Sequence, residues 1–294
     1  MMHLPEYRLC PLTGRVSLIA PQRDARPHQD ENPLLPCPFC PGHERETPPA
    51  VATLSGDAGW QVRVVPNRFP AVCPDAPAFG YHEVVIEGRN HVSSPVEFSD
   101  ELLADILRLH KDRLLALAAD ARIQYVTIFR NVGAAAGASL AHSHSQIVAT
   151  PFVPPALRAE LALAGSPCGW CELLAHETTH VAANDGFAAV CPPAPRFPYE
   201  TWILPRTHAS HYERETNFAA LAQLLKRLLA ALGPVPFNLL LKTAPPKETS
   251  LYHWHLELLP RTTTPAGFEW ATGAFIHGVS PERAAAELRR RMLV

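Results

Sequence analysis

AHSHSQIVAT, residues 141–150, sets two histidines one residue apart, ahead of a glutamine and an apolar Ile-Val pair. In a strand, side chains at i and i+2 face the same way. His142, His144, Gln146 and Val148 therefore share one face, and Ser143, Ser145 and Ile147 the other. Same-face neighbours lie roughly 7 Å apart. That is too wide for both rings to hold one tetrahedral metal, yet close enough for two adjacent roles.

Outward from this stretch, the chain reads as written twice. The first half carries CPFC (37–40), a strand-like QVRVVPNRFPAV (61–72) and YHEVVIEGRNH (81–91). A helical stretch follows over 100–120, with Leu102, Ile106, Leu109, Leu114 and Leu117 at helical spacing, then a strand over 124–131 and HSHSQ. The second half carries CGWC (168–171), GFAAVCPP (186–193), YETWILPRTH (199–208), a helical 218–233, a strand over 236–242 and LYHWHLELLP (251–260). The same landmarks in the same order predict an internal duplication, residues 1–160 and 161–294, with a helix over 280–292 closing the chain. Short strands alternating with single long helices predict an α+β fold, antiparallel sheet with helices packed on it. Neither half has a G-x-G-x-x-G in a βαβ rhythm, which argues against a dinucleotide-binding domain.

With 294 residues and 47 % hydrophobic content, the chain can bury a substantial core. A net charge of -2 suggests no polyanion-binding surface, so nucleic acid is not an expected partner. The N-terminus shows no signal-peptide pattern, and no run approaches the ~18–20 apolar residues a membrane span needs. The expected location is the cytoplasm. There four of the seven cysteines, in two C-x-x-C pairs, read as metal half-sites or redox motifs rather than structural disulfides. The proline-rich surroundings of CPFC favour a zinc knuckle. Two thiolates want two further ligands: His91 and His142 are available for Cys37 and Cys40, and His208 and His253 for Cys168 and Cys171, with His211 an alternative to His208. Two zinc sites are the expectation.

His144 is left over. Just upstream stands N-x-G-x-x-x-G-x-S, Asn131 to Ser139. Glycines at 133 and 137 let backbone N–H groups approach an anion, and Ser139 and Gln146 add side-chain donors. Donors converging beside a neutral imidazole suit a site that binds a phosphoryl group while the histidine attacks phosphorus. The bland reading, a small-residue loop that only turns the chain, leaves the donors unexplained.

NVGAAAGASLAHSHSQ (131–146) resembles the active-site segment of the galactose-1-phosphate uridylyltransferase family, within the histidine-triad superfamily, whose usual form ends H-P-H-x-Q. CPFC is similar to that family's zinc knuckle, VVPNRFPAV (64–72) to its nucleotide-contacting strand, EGRNHVSSP (87–95) to its third-ligand segment, and PLTGRVSLIAPQRDARP (11–27) to its N-terminal segment. The resemblance implies that His144 is a nucleophile forming a uridylyl- or adenylyl-histidine, with Gln146 and Ser139 on the transferring phosphoryl group. It implies that Asn67, Asn131, Arg26, Arg23 and Gly137 contact nucleotide or phosphate, and that Cys37, Cys40, His91 and His142 bind zinc. A ping-pong reaction follows, between a sugar nucleotide and a phosphate-bearing acceptor, and a homodimer is the family's habit. Ser143 replaces the usual proline, and the second C-x-x-C with AGFEWATGAFI (266–276) is more similar to an ADP-glucose phosphorylase branch that uses two zincs and inorganic phosphate. Uracil or adenine, and hexose 1-phosphate or phosphate, stay open. The second half lacks the glycine loop, carrying KTAPPKETS (242–250) instead, and is expected to be non-catalytic. Lys242 and Lys247 could lie near substrate phosphates, though Lys247 reads more readily as a solvated charge. His255 and Glu257 could line the cleft or support the second metal. A nucleotide hydrolase and a non-catalytic zinc protein are the competing readings.

Overall fold

The computed structural model describes residues 4–26, 36–248 and 251–293. The final residue of the N-terminal segment, Pro27, and the last two of KTAPPKETS lie outside them. A hairpin of β1 (Glu6–Leu9) and β2 (Val16–Ile19) opens the chain. The first half then builds β3 (Ala52–Gly56), β4 (Gly59–Pro66), β5 (Tyr81–Glu87), helix α1 (Asp100–Ala118), β6 (Tyr125–Val132) and β7 (His144–Thr150). Helices α2 (Pro155–Leu163) and α3 (Gly169–Leu174) lead into the second half. That half runs β8 (His180–Ala183), β9 (Phe187–Val190), β10 (Thr201–Pro205), α4 (Phe218–Leu232), β11 (Phe237–Lys242) and β12 (His255–Pro260). Helices α5 (Gly267–Thr272) and α6 (Pro281–Met292) follow.

Among the described residues, ten strands form one antiparallel sheet in the order β3-β4-β5-β7-β6-β11-β12-β10-β9-β8. The two halves meet at β6 and β11, where Asn131 stands opposite Asn238. Their registers repeat: Gln146 of β7 faces Val84 of β5, and Glu257 of β12 faces Trp202 of β10. The α+β duplication read from the sequence is thus present as two copies of one strand arrangement, joined edge to edge into a continuous sheet.

Alternation decides what each face of the sheet does. Val62, Val64, Val85, Ile128, Ile147 and Ala149 point to the face covered by α1 and α4. Ser99 caps α1 by accepting the Leu102 N–H, and Asn217 caps α4 by accepting that of Ala220. Leu103, Ile106 and Leu114 of α1 and Leu221, Leu225 and Leu228 of α4 are fully buried against each other and the sheet. On the opposite face, Val65, Val84 and Ile86 pack with Cys37 and Phe39 of the knuckle. No described helix is long and apolar enough to cross a membrane.

The strand read from 141–150 begins later than its alternation suggests. β7 starts at His144, where the ladder with β5 breaks: the Ser143 N–H goes to the Val92 carbonyl, and the His142 carbonyl accepts from His144 Nδ1, 2.8 Å away. β12 starts at His255 for the same reason, its Nδ1 lying 2.9 Å from the His253 carbonyl. QVRVVPNRFPAV likewise stops as a strand at Pro66.

Candidate active site

The two histidines of each pair have separate surroundings. His142 turns toward the knuckle: its Nδ1 lies 3.6 Å from Cys40 Sγ, and His91 Nδ1 lies 3.3 Å from the same sulfur. In the second half, His208 and His253 Nδ1 each lie 3.5 Å from Cys171 Sγ. Within each group, Cys37–Cys40–His91–His142 and Cys168–Cys171–His208–His253, the donor atoms all lie within 4.8 Å of one another. A tetrahedral ion with bonds of about 2.3 Å to sulfur and 2.0–2.1 Å to nitrogen would set sulfur and nitrogen about 3.6 Å apart, and both groups fit. Second partners fix the rings: His142 Nε2 donates to the Gly88 carbonyl and His253 Nε2 to that of Pro205, both at 3.0 Å, leaving Nδ1 as the metal donor. Burial pushes the Cys37 thiol up to about 11, as it does that of Cys171, so a cation is what would stabilise the thiolates. Both groups can hold a metal ion of zinc's preferences. His211 is placed elsewhere, its Nδ1 lying 3.1 Å from Glu213.

His144, on the same knuckle-covered face, lines a cleft of about 410 Å³ beside it. One wall is apolar, built from Pro38, Phe39, Val65 and Pro66, and suits a flat ring; the other gathers Arg26, Asn67, Ser139 and Gln146 around the imidazole. Because Nδ1–H is held by the His142 carbonyl, the lone pair of Nε2 is the one available to a ligand. Burial lowers the basicity of the ring, outweighing the hydrogen bond to His142, so it is unprotonated at neutral pH. Phe39 packs edge-on at 5.4 Å between ring centres.

Behind His144, on the helix-covered face, sits a buried charge. Glu87 is fully buried, pairs with Arg130, accepts from Ser143 Oγ at 2.8 Å and lies 3.9 Å from His110. His110 in turn lies 2.7 Å from Ser145 Oγ. Ser143 also donates its backbone N–H to the Val92 carbonyl at 2.7 Å. These two bonds account for serine between the histidines: proline would lose both. Ser143→Pro is therefore expected to lower unfolding free energy by roughly 2–4 kcal/mol, one neutral bond plus one to a charge. Urea unfolding checks it, and a variant as stable as the parent would show that the Glu87 cluster does not anchor this turn.

The other residues singled out from the sequence fall at varying distances from this cleft. Arg23 backs it, donating to the Phe69 carbonyl at 2.8 Å. Gly133 and Gly137 hold φ of +80° and +82°, conformations that favour glycine, and so shape the loop leading to Ser139. Asn131 lies at the seam between halves, where Asn238 Nδ2 donates to its Oδ1 at 2.9 Å and to the Ala136 carbonyl at 2.8 Å. Lys242 is drawn away by Glu160 at 2.7 Å, and exposed Lys247 donates to the Ala121 carbonyl. Sequence reading gave no role to Glu87, although it opens EGRNHVSSP, and missed His82, which lies in no motif; alternation could have placed His82 on the face of Val84 and Ile86, but not its partners.

His255 and Glu257 belong to the second half's own closed counterpart. His255 is buried, with Trp202, Tyr252 and Trp170 at 5.0, 5.9 and 6.0 Å between ring centres. Trp202 holds the position of Val84, and its larger ring fills space that the first half leaves open. Glu257 replaces Gln146 and faces His255 Nε2 at 3.6 Å and Arg196 at 2.9 Å. Burial would raise this carboxyl, but His255 and the Arg196 guanidinium outweigh it and hold it at about 2. The nitrogen matching that of His144 thus faces a carboxylate.

Residues 2–154 match the family model described as galactose-1-phosphate uridyl transferase, N-terminal domain, and residues 80–294 a domain of unknown function (DUF4921). ADP-glucose phosphorylase of Arabidopsis thaliana is 32 % identical, across 97 % of this chain and 92 % of its own. Galactose-1-phosphate uridylyltransferase of Thermotoga maritima is 27 % identical, across 97 % and 98 %. The crystal structure of an Arabidopsis ADP-glucose phosphorylase with bound ADP-glucose superposes with a TM-score of 0.81 at 33 % identity, covering 98 % of each chain. The ordered motifs, the cleft at His144 and these matches agree: the chain belongs to the galactose-1-phosphate uridylyltransferase family.

Proposed function

We propose that the protein is a nucleotidyltransferase that moves a nucleoside monophosphate from a sugar nucleotide to a phosphate-bearing acceptor through a nucleotidyl-His144. The observation that carries this reading is the orientation of His144, with Nδ1–H tied to the His142 carbonyl and Nε2 open to a cleft lined by Arg26, Asn67, Ser139 and Gln146. Attack by Nε2 on the α-phosphorus would form an N–P bond as the P–O bond to sugar 1-phosphate breaks. An oxygen of the second phosphate would then take the phosphorus back, breaking the N–P bond and freeing the imidazole. The proton stays on Nδ1 throughout, donated to the His142 carbonyl, and that bond stabilises the positive charge of the substituted ring. Arg26, Ser139 and Gln146 supply cation and donors for the oxygens that gain charge.

Zinc is the metal we assign to both Cys2His2 groups, where it would neutralise thiolates and fix the turn bearing His142 or His253. The similarity to ADP-glucose phosphorylase favours ADP-glucose as donor and inorganic phosphate as acceptor. The uridylyltransferase relatives carry the second reading, UDP-glucose with a hexose 1-phosphate. Zinc-replete protein incubated separately with the two donors and examined by intact mass spectrometry without acid is expected to gain AMP from ADP-glucose. Gain of UMP alone would select the second reading. No adduct from either donor, in protein that binds nucleotide, would overturn the covalent mechanism.

A further inference from the structure

We infer that His82 is a positioning residue that sets the polarity of the Gln146 side-chain amide, so that its NH2 end faces the phosphoryl group held at His144. The inference rests on the nucleotidyl-transfer reading for its functional consequence, and on geometry for the rest.

A glutamine amide can sit either way round, and only its NH2 end can donate to a phosphoryl oxygen. Gln146 leans across from β7 toward β5, where its Oε1 lies 2.9 Å from His82 Nε2. Which of these atoms carries the hydrogen is decided at the far side of the ring. The backbone N–H of Ala71, which can only donate, points at His82 Nδ1 from 3.0 Å. Nδ1 must therefore accept, the ring hydrogen sits on Nε2, and Nε2–H donates to Gln146 Oε1. With its carbonyl engaged, Gln146 has its NH2 end left for the cleft, which it lines beside His144.

Asn67 is fixed by the same logic. Its Oδ1 accepts the backbone N–H of Phe69 at 2.8 Å, so the end that stands 3.1 Å from His82 Nε2 is Nδ2, a donor. With Nδ1 of the ring already accepting from Ala71, Nε2 keeps the ring hydrogen for Gln146 Oε1, and the Asn67 NH2 keeps its hydrogens for the cleft it also lines. Two obligatory backbone donors, at Phe69 and Ala71, thus orient two side-chain amides, one directly and one through a histidine ring. His82 is buried and stays neutral: burial lowers its pKa to about 4, and the nearby charges of Arg23 and Arg26 oppose protonation further. A charged His82 would donate at both nitrogens and clash with Ala71, so the neutral form is the one the relay needs. In the second half Glu200 holds the position of His82 and is spent on Arg196 at 2.7 Å.

Two measurements test this. In protein carrying 15N-labelled histidine, the His82 ring is expected to show its hydrogen on Nε2; a hydrogen on Nδ1 would overturn the proposal outright, without reference to activity. In single-turnover nucleotidylation, His82→Leu is expected to slow the step by about 10²-fold, the size of losing one oriented donor. Zinc content should not change, and His82→Gln, which keeps a donor near Nε2, should recover much of the rate. Gln146→Ala should lose about as much, and the double variant no more than either single. A His82→Leu enzyme at the parental rate, or losses that multiply in the double variant, would overturn the proposal. Should the parent protein form no adduct, the transfer reading falls and the ring tautomer alone decides the proposal.

Discussion

Replacing His144 with asparagine is expected to abolish the nucleotide adduct and to cut turnover by on the order of 10⁴-fold or more, while fold and metal content stay as in the parent. The size follows from removing Nε2, the atom that the proposed mechanism bonds to phosphorus. The specificity of the loss follows from the division of labour at residues 142 and 144: His142 belongs to the Cys37 cluster, whereas His144 lines the cleft and bonds to that turn at the His142 carbonyl. Asparagine can donate its own amide to that carbonyl and so keep the turn closed. Rapid-quench kinetics with labelled donor, beside metal analysis and thermal melting, separates the outcomes. A variant that turns over normally would remove His144 from the mechanism. One that loses zinc as well would make it a structural residue.

Arg130→Met carries the largest expected effect on stability, a loss of about 3–5 kcal/mol, because it strands the fully buried Glu87 carboxylate. The Ser143 hydroxyl and neutral His110 would remain, and neither replaces a guanidinium. In the parent, burial alone would raise the Glu87 carboxyl, but Arg130 and His110 outweigh it and hold it below its usual value. The pair therefore contributes stability that is present above the unfolded carboxyl pKa, about 4.3, and is lost as pH falls through the folded one. Without Arg130 the sign inverts, since a lone buried carboxyl has a raised pKa and favours the folded state most when protonated. The variant's deficit should then shrink as pH is lowered from 7 toward 4.5. Chemical unfolding across that range checks both size and slope, and Glu87→Gln combined with Arg130→Met should recover part of the loss. A deficit that does not change with pH would mean that Glu87 is not the group left exposed to the cost.

Most of the architecture was legible because amphipathic spacing is a local signal. The α1 and α4 stretches, their neighbouring strands and the twofold repeat of landmarks all came from periodicity and order. The two metal groups were legible because thiolate pairs with a histidine at a repeated place have few other uses, and the folded chain brings those eight residues together as two clusters. What the sequence hid is set by contacts across strands. The late start of β7 depends on the Ser143 N–H leaving the ladder for Val92 and on the His144 ring taking the His142 carbonyl, which no alternation pattern encodes. Lys242 could be read as a phosphate ligand only until Glu160, 82 residues away in the chain, is seen to claim it. Glu87 and His82 sit in strands whose apolar neighbours disguise them, and their importance depends on partners from α1, β6 and β7.

Asn238 gives the second half, which lacks the glycine loop, a task in the first. Its single amide holds both Asn131 and the carbonyl of Ala136, so the glycine loop that leads to Ser139 is moored to a strand from the other half. A gene fragment ending after β7 would encode every residue assigned to phosphorus transfer, yet leave that loop untethered and the β6 edge bare, an open invitation to intermolecular strand pairing. Whatever chemistry it carries, the second copy is scaffolding for the first, which without it would have neither a settled loop nor a protected flank.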